Sequence, residues 1–235
     1  MLLDHDDYLP RYVLLTAAKR SDVKMADSFA LNPGSIVVVD RAYTDFGLFA
    51  RWSAQEVLFV TRMKENLAYE VVEEYQVPAG GKVLCDQLIR LTSAQARRQY
   101  PAELRRVVVW DAANEREIVL LTNQFSFAAS TIAAIYKERW QIELFFKALK
   151  QNLKVKTFVG TSENALRIQI WTALIAILLL KWLHHLSQAG WSLSNLASML
   201  RLNLFTYRDL TDWLENPFET PPLIPAARQL PLPLG

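Results

Sequence analysis

At 235 residues, 51% of them hydrophobic and 21% charged, the chain has apolar material for one large domain or two small ones, and disorder over most of its length is excluded. A formal net charge of only +2 excludes overall charge as a source of nucleic-acid affinity, which would have to come from local clusters of Lys and Arg. The single cysteine, Cys85, excludes an internal disulfide and a cysteine-based zinc cluster; it suits a reduced cytosol and reads as a small half-buried hydrophobe.

The chain opens with "MLLDHDDYLPR", which has no basic leader and no apolar stretch of signal-peptide length, so no export signal is expected. It reads as the end of one strand, a turn from Asp6 to Pro10, and a returning strand in "RYVLLTAA". "SIVVVD" and "EVLFVTRMK" are two more β-branched runs, with "TDFGLFARWSAQ" between them at helical spacing. From Leu67 to Asn123, "LAYEVVEEYQV", "KVLCDQLIRLT", "LRRVVVWDA" and "REIVLLTN" are separated by "PAGG", "YPAE" and "AANE", the texture of a block of hairpins. Helical segments follow. Ser130 or Thr131 can cap a helix running to Gln151, Ser162 a long apolar one, and Ser192 or Ser194 a shorter one. The apolar run Ile168 to Leu180 falls short of the roughly 20 residues that cross a bilayer, so it is expected as a buried core helix. From Pro217 onward the chain carries six of its ten prolines and reads as an extended tail.

The stretch "YKERWQIELFFKALKQ" holds the most chemistry. At 100° per residue, one helix places Tyr136, Arg139, Glu143 and Lys150 within a wedge of roughly 60°, with Ile135, Ile142, Phe145, Phe146 and Leu149 outside it, Phe145 and Leu149 farthest away. An Arg139–Glu143 pair four residues apart is also what an ordinary solvated helix face carries. Asp40 ends the run "SIVVVD", and the carboxyl end of an apolar strand is where open α/β sheets place ligands and metals. A helix cap before "RAYTDF" is the alternative role for that acid.

Together, "VVVDRAYTDF" and, about a hundred residues later, "YKERWQIELFFKALK" resemble the DDE transposases of bacterial insertion sequences, in particular the insertion-sequence-four family. That family's signature is Tyr, two residues, Arg, three residues, Glu, six residues, Lys, and Tyr136, Arg139, Glu143 and Lys150 match it at every position. "LFVTRMKEN" and "FVGTSENALRIQIWTALIAILLL" are similar to its flanking segments.

The resemblance implies an α/β, ribonuclease-H-like core over residues 1–66, an inserted β-rich subdomain over 67–124, the helical part of the core over 125–204, and a C-terminal segment with a Pro-rich tail over 205–235. It implies DNA cleavage and strand transfer at two divalent metals, Mg²⁺ or Mn²⁺, held by carboxylates. Asp40 would be the second acid of the site and Glu143 the third. Tyr136, Arg139 and Lys150 would grip phosphates of the transposon end, with Lys147, Lys154 and Lys156 adding charge, and Trp110 would stack on a displaced base. The partners implied are double-stranded transposon ends and target, with a homodimer in the DNA complex, no membrane, and a place in the bacterial cytoplasm at the nucleoid.

No residue matches the family's first acid, which lies on an earlier strand. Asp4, Asp6 and Asp7 read as turn acids. The expectation is therefore a core incomplete at its N-terminus and inactive alone. Two other readings stay open: a DNA-binding remnant that inhibits full-length transposase, and a nuclease of the same fold.

Overall fold

The computed structural model describes residues 1–15, 25–26, 28–152, 160 and 162–221. Lys154, Lys156 and the tail beyond Pro221 lie outside the described residues. The chain forms two compact units, residues 1–143 and 144–235.

The first unit opens with a short hairpin, β1 (Leu2–Leu3) against β2 (Pro10–Tyr12). The acids of its turn are consumed locally. Asp4 accepts the Asp6 amide at 2.9 Å and the Arg11 guanidinium at 2.6 Å, and Asp7 accepts the Leu9 amide at 2.8 Å.

Six further strands build one mixed sheet: β3 (Ile36–Val39), β4 (Leu58–Arg62), β5 (Tyr69–Glu74), β6 (Val83–Leu91), β7 (Leu104–Asp111) and β8 (Arg116–Thr122). Their order is β3-β4-β8-β7-β6-β5, with β3 and β4 parallel and every other pair antiparallel. β5 to β8 are the hairpin block expected from the turn signals, and β8 pairs directly with β4.

Period-two alternation sorts side chains onto the two faces. Phe59, Leu121, Ile89 and Leu104 meet α1 (Phe46–Ala54), where Phe49 stacks on Phe59 with centroids 4.1 Å apart. A short helix absent from the sequence reading, α2 (Ala94–Gln99), adds Ala96 to that face. On the other face Val60, Val107, Val109 and Leu120 meet Ile132 of α3 (Ala129–Glu138).

The helix expected from Ser130 or Thr131 to Gln151 is two helices. α3 ends at Glu138, and α4 runs Gln141–Asn152. Between them the amides of Arg139, Trp140, Ile142 and Glu143 each bond the carbonyl three residues back, at 3.0–3.3 Å, so the backbone tightens to a 3₁₀ step. The start also differs: Ala128 is the N-cap, without any side-chain cap.

The second unit carries the remainder of α4, then α5 (Glu163–Leu186), α6 (Leu193–Leu202) and α7 (Leu210–Glu215). Ser162 and Ser192 cap α5 and α6 as expected, accepting amides three residues on. Leu196, Trp213 and Leu214 form its core, and the Trp191 indole donates to the Leu214 carbonyl at 2.9 Å. A ring nitrogen of His184 pairs with the Trp191 carbonyl at 2.5 Å.

α5 departs from expectation. It is 24 residues long, apolar enough by length and composition to cross a membrane, and only 17% of its most apolar window is buried. Ala173, Leu174 and Ile177 are buried, while Ile168, Trp171, Ile175, Leu179, Trp182 and Leu186 form an exposed stripe at three- and four-residue spacing.

Candidate active site at the carboxyl end of β3

β3, four apolar residues, lies at the edge of the sheet among the described strands, and the chain leaves it at Asp40 in extended conformation. Ile36 packs on the α3 face of the sheet and Val37 on the other, so alternation directs Asp40 to the α3 face. The cap role foreseen as an alternative is present: Asp40 Oδ1 accepts the Ala42 amide at 3.1 Å, starting a 3₁₀ turn over Arg41–Tyr43. That leaves Oδ2 turned elsewhere. It lies 4.0 Å from Nη1 of Arg139.

Arg139 sits in the tightened step between α3 and α4, and the same Nη1 donates to Glu143 Oε1 at 3.0 Å. Two carboxylate oxygens, at 4.0 and 3.0 Å from one nitrogen, can be no more than about 7 Å apart. The strand end and the helix start therefore bring together the two acids singled out in the sequence. Both are partly open, with side chains 42% and 44% exposed, whereas Arg139 is 20% exposed and its buried Nε has no hydrogen-bond partner.

Tyr136 completes the cluster. Its ring packs with the α3-face core and carries the Arg139 guanidinium, whose carbon is 5.8 Å from the ring centroid. Burial pushes the phenol up from its ordinary value, with Arg139 opposing and the Asp40 charge reinforcing the shift. Arg62, which ends β4 in register beside Asp40's strand, also acts on Tyr136 and was not singled out from sequence. The signal was present: "LFVTR" ends an apolar strand on a charge, as "SIVVVD" does. Nearby, Lys64 donates to the Thr44 carbonyl and Arg41 to Glu65, each at 3.3 Å, tying the loops after β3 and β4 together.

The other residues expected at the site lie apart or in the second unit. Trp110 is 41% exposed near the end of β7, directed by alternation to the face opposite Asp40. Lys147 and Lys150 are exposed on the part of α4 that belongs to the second unit, Lys150 in its last turn.

Among the described residues no three His, Cys, Asp or Glu side chains converge as a metal cluster. The donor set that does converge is two carboxylates already holding one cationic group between them. Hard oxygen donors of this kind fit a divalent cation of the Mg²⁺ type with water completing its shell.

A mixed sheet with helices packed on both faces fits the ribonuclease-H-like fold class. Within that class the family is specific: the Transposase DDE domain matches residues 1–179, and the chain belongs to the DDE transposases, a family that uses divalent metal. It is 33% identical over 233 residues to a protein of Sinorhizobium fredii named as the transposase y4zB. It is 36% identical over 178 residues to one named as the transposase of insertion sequence element IS5377 in Geobacillus stearothermophilus, and 24% identical over 187 residues to transposase InsG of IS4 in Escherichia coli. These matches cover 97%, 75% and 72% of the chain, which spans 64%, 46% and 41% of the respective relatives.

Proposed function

We propose that this chain serves the DNA cleavage and strand transfer of a bacterial insertion sequence, with Asp40 and Glu143 as metal-holding acids and Tyr136, Arg139, Lys147 and Lys150 engaging DNA phosphates. The observation that carries this reading is Arg139 Nη1 lying within 4.0 Å of both acids, one from a strand end and one from a helix. Mg²⁺ or Mn²⁺, once bound, supplies charge stabilisation at the reacting phosphate oxygens. The chain's own work is positional. Asp40 keeps Oδ1 on the Ala42 amide and presents Oδ2; Arg139 and Lys150 neutralise backbone phosphates; the Tyr136 hydroxyl orients one. The segment 67–124 is proposed as an insertion between the second and third acids, Trp110 as its base-stacking residue, and the working form as a cytoplasmic, nucleoid-associated homodimer on DNA.

Binding to a double-stranded transposon-end oligonucleotide tests this. Affinity should fall steeply with salt, and Arg139→Gln or Lys150→Gln should each flatten the log–log slope by roughly 0.9 per lost phosphate contact. Unchanged slopes in both variants would remove them from the DNA interface. A second reading, a DNA-binding partner of full-length transposase that does not cut, is favoured by the two-acid set. End cleavage with Mn²⁺ separates the two, since a non-cutting partner retains the salt slope and releases no end.

A further inference from the structure

The most heavily bonded side chain of the first unit is remote from Asp40. Arg105, on β7, is 6% exposed and directed to the α3 face. Its Nε and Nη2 form a two-pronged bond to Asp86 of β6, at 2.8 and 2.7 Å, and that carboxylate is equally buried. The remaining nitrogen, Nη1, donates to three backbone carbonyls: Gln124 at 3.3 Å, Phe125 at 3.2 Å and Phe127 at 2.6 Å.

Those three carbonyls line the connection from β8 into α3. The next residue, Ala128, is the N-cap of the helix and supplies no side-chain cap of its own. Roughly 11 Å along α3 its last turn presents Tyr136, and Arg139 follows. A rigid helix converts a small displacement at its root into a displacement at its tip, and Ile132 is its fully buried contact in between.

We infer that Arg105, braced by Asp86, is a positioning residue for the site: it fixes the root of α3 and thereby the placement of Tyr136, Arg139 and, through the tightened step that follows, Glu143 against Asp40. The consequence for metal binding rests on the function proposed above; the consequence for Tyr136 does not. Lysine cannot replace it, because one ammonium cannot satisfy a carboxylate in fork geometry and three carbonyls together.

The test uses the whole chain labelled with 3-fluorotyrosine, the Tyr136 resonance being assigned by Tyr136→Phe. Arg105→Lys and the double variant Asp86→Leu/Arg105→Met are compared with wild type, the latter because an apolar pair can replace a buried ion pair without loss of fold. With the urea midpoint of the double variant near wild type, the ¹⁹F resonance of Tyr136 should shift or broaden in both variants. Manganese ion is then titrated, since its paramagnetism broadens a nearby resonance. The concentration for half-broadening should rise roughly tenfold or more in both variants. A Tyr136 resonance at its wild-type position in the folded double variant overturns the inference. A wild-type chain whose Tyr136 signal Mn²⁺ leaves sharp overturns instead the metal role of Asp40 and Glu143, while the resonance shift still decides the role of Arg105.

Discussion

At the scale of single residues, the site stores a positive charge where the proposed metal belongs. Arg139 bonds Glu143 and faces Asp40, so a divalent cation entering between the acids must displace a guanidinium. Partly exposed pairs of this kind contribute only about 0.2–1 kcal/mol, so Arg139→Gln should tighten Mn²⁺ binding roughly two- to fivefold without DNA, read by electron paramagnetic resonance. Weaker binding in that variant would mean that Arg139 supports the metal instead of standing in its place. Tyr136 gives a pH signature. An unfolded tyrosine titrates near 10, and burial holds the folded phenol above that value. Above about pH 10 the unfolded chain loses a proton that the folded chain keeps, so stability falls with rising pH, whereas below that window both states are neutral and the contribution is flat. Tyr136→Phe should therefore reduce the alkaline loss of stability in urea titrations between pH 9 and 11. Tyr100 and Tyr75, also raised by burial, and Tyr8, raised by its hydrogen bond to Glu138, contribute to the dependence that remains.

At the scale of elements, the strands were the most legible part. "SIVVVD", "EVLFVTRMK" and the four runs of the hairpin block are β-branched and bounded by turn residues, and each became a strand within three residues of its expected limits. The helical stretch holding Tyr136, Arg139, Glu143 and Lys150 was legible in content and not in shape. A residue pair four apart meets on a continuous helix and equally across the 3₁₀ step, so the spacing of Arg139 and Glu143 could not reveal the break, and no Gly or Pro marks it. α2 was missed because six residues with one buried side chain, Ala96, are too short to show a period. The start of α3 was misplaced because Ser130 and Thr131 are good caps, yet the chain enters helix two residues earlier, at Ala128, where Arg105 holds the preceding carbonyls. That misplacement yields a prediction. Ala128 is exposed, extended and uncapped, so Ala128→Ser should add the missing bond to an amide of the first turn. The gain expected is about 0.5–2 kcal/mol in urea unfolding. No gain would mean that solvent already satisfies the first-turn amides.

At the scale of the whole chain, composition could not reveal which face of the apolar helix is covered. In "IQIWTALIAILLLKWLHHL" nearly every position is apolar, so hydrophobicity runs all round α5 and no polar stripe marks the outside; a helix of that kind is ordinarily buried. Three of its residues are buried, and six large ones are not. An apolar stripe of this extent, on a chain with a formal net charge of +2, leaves little electrostatic repulsion to oppose association at neutral pH. Ile175, 58% exposed at the middle of the stripe, distinguishes a truly open face from a covered one. Ile175→Lys places a charge there and raises the net charge by one. On an open face the change in unfolding free energy should stay within about 0.5 kcal/mol, and light scattering at fixed concentration should fall. A loss of about 3 kcal/mol or more would instead be the signature of an unpaired charge forced into an interior, and would show that this side of α5 is covered when the chain is folded in solution.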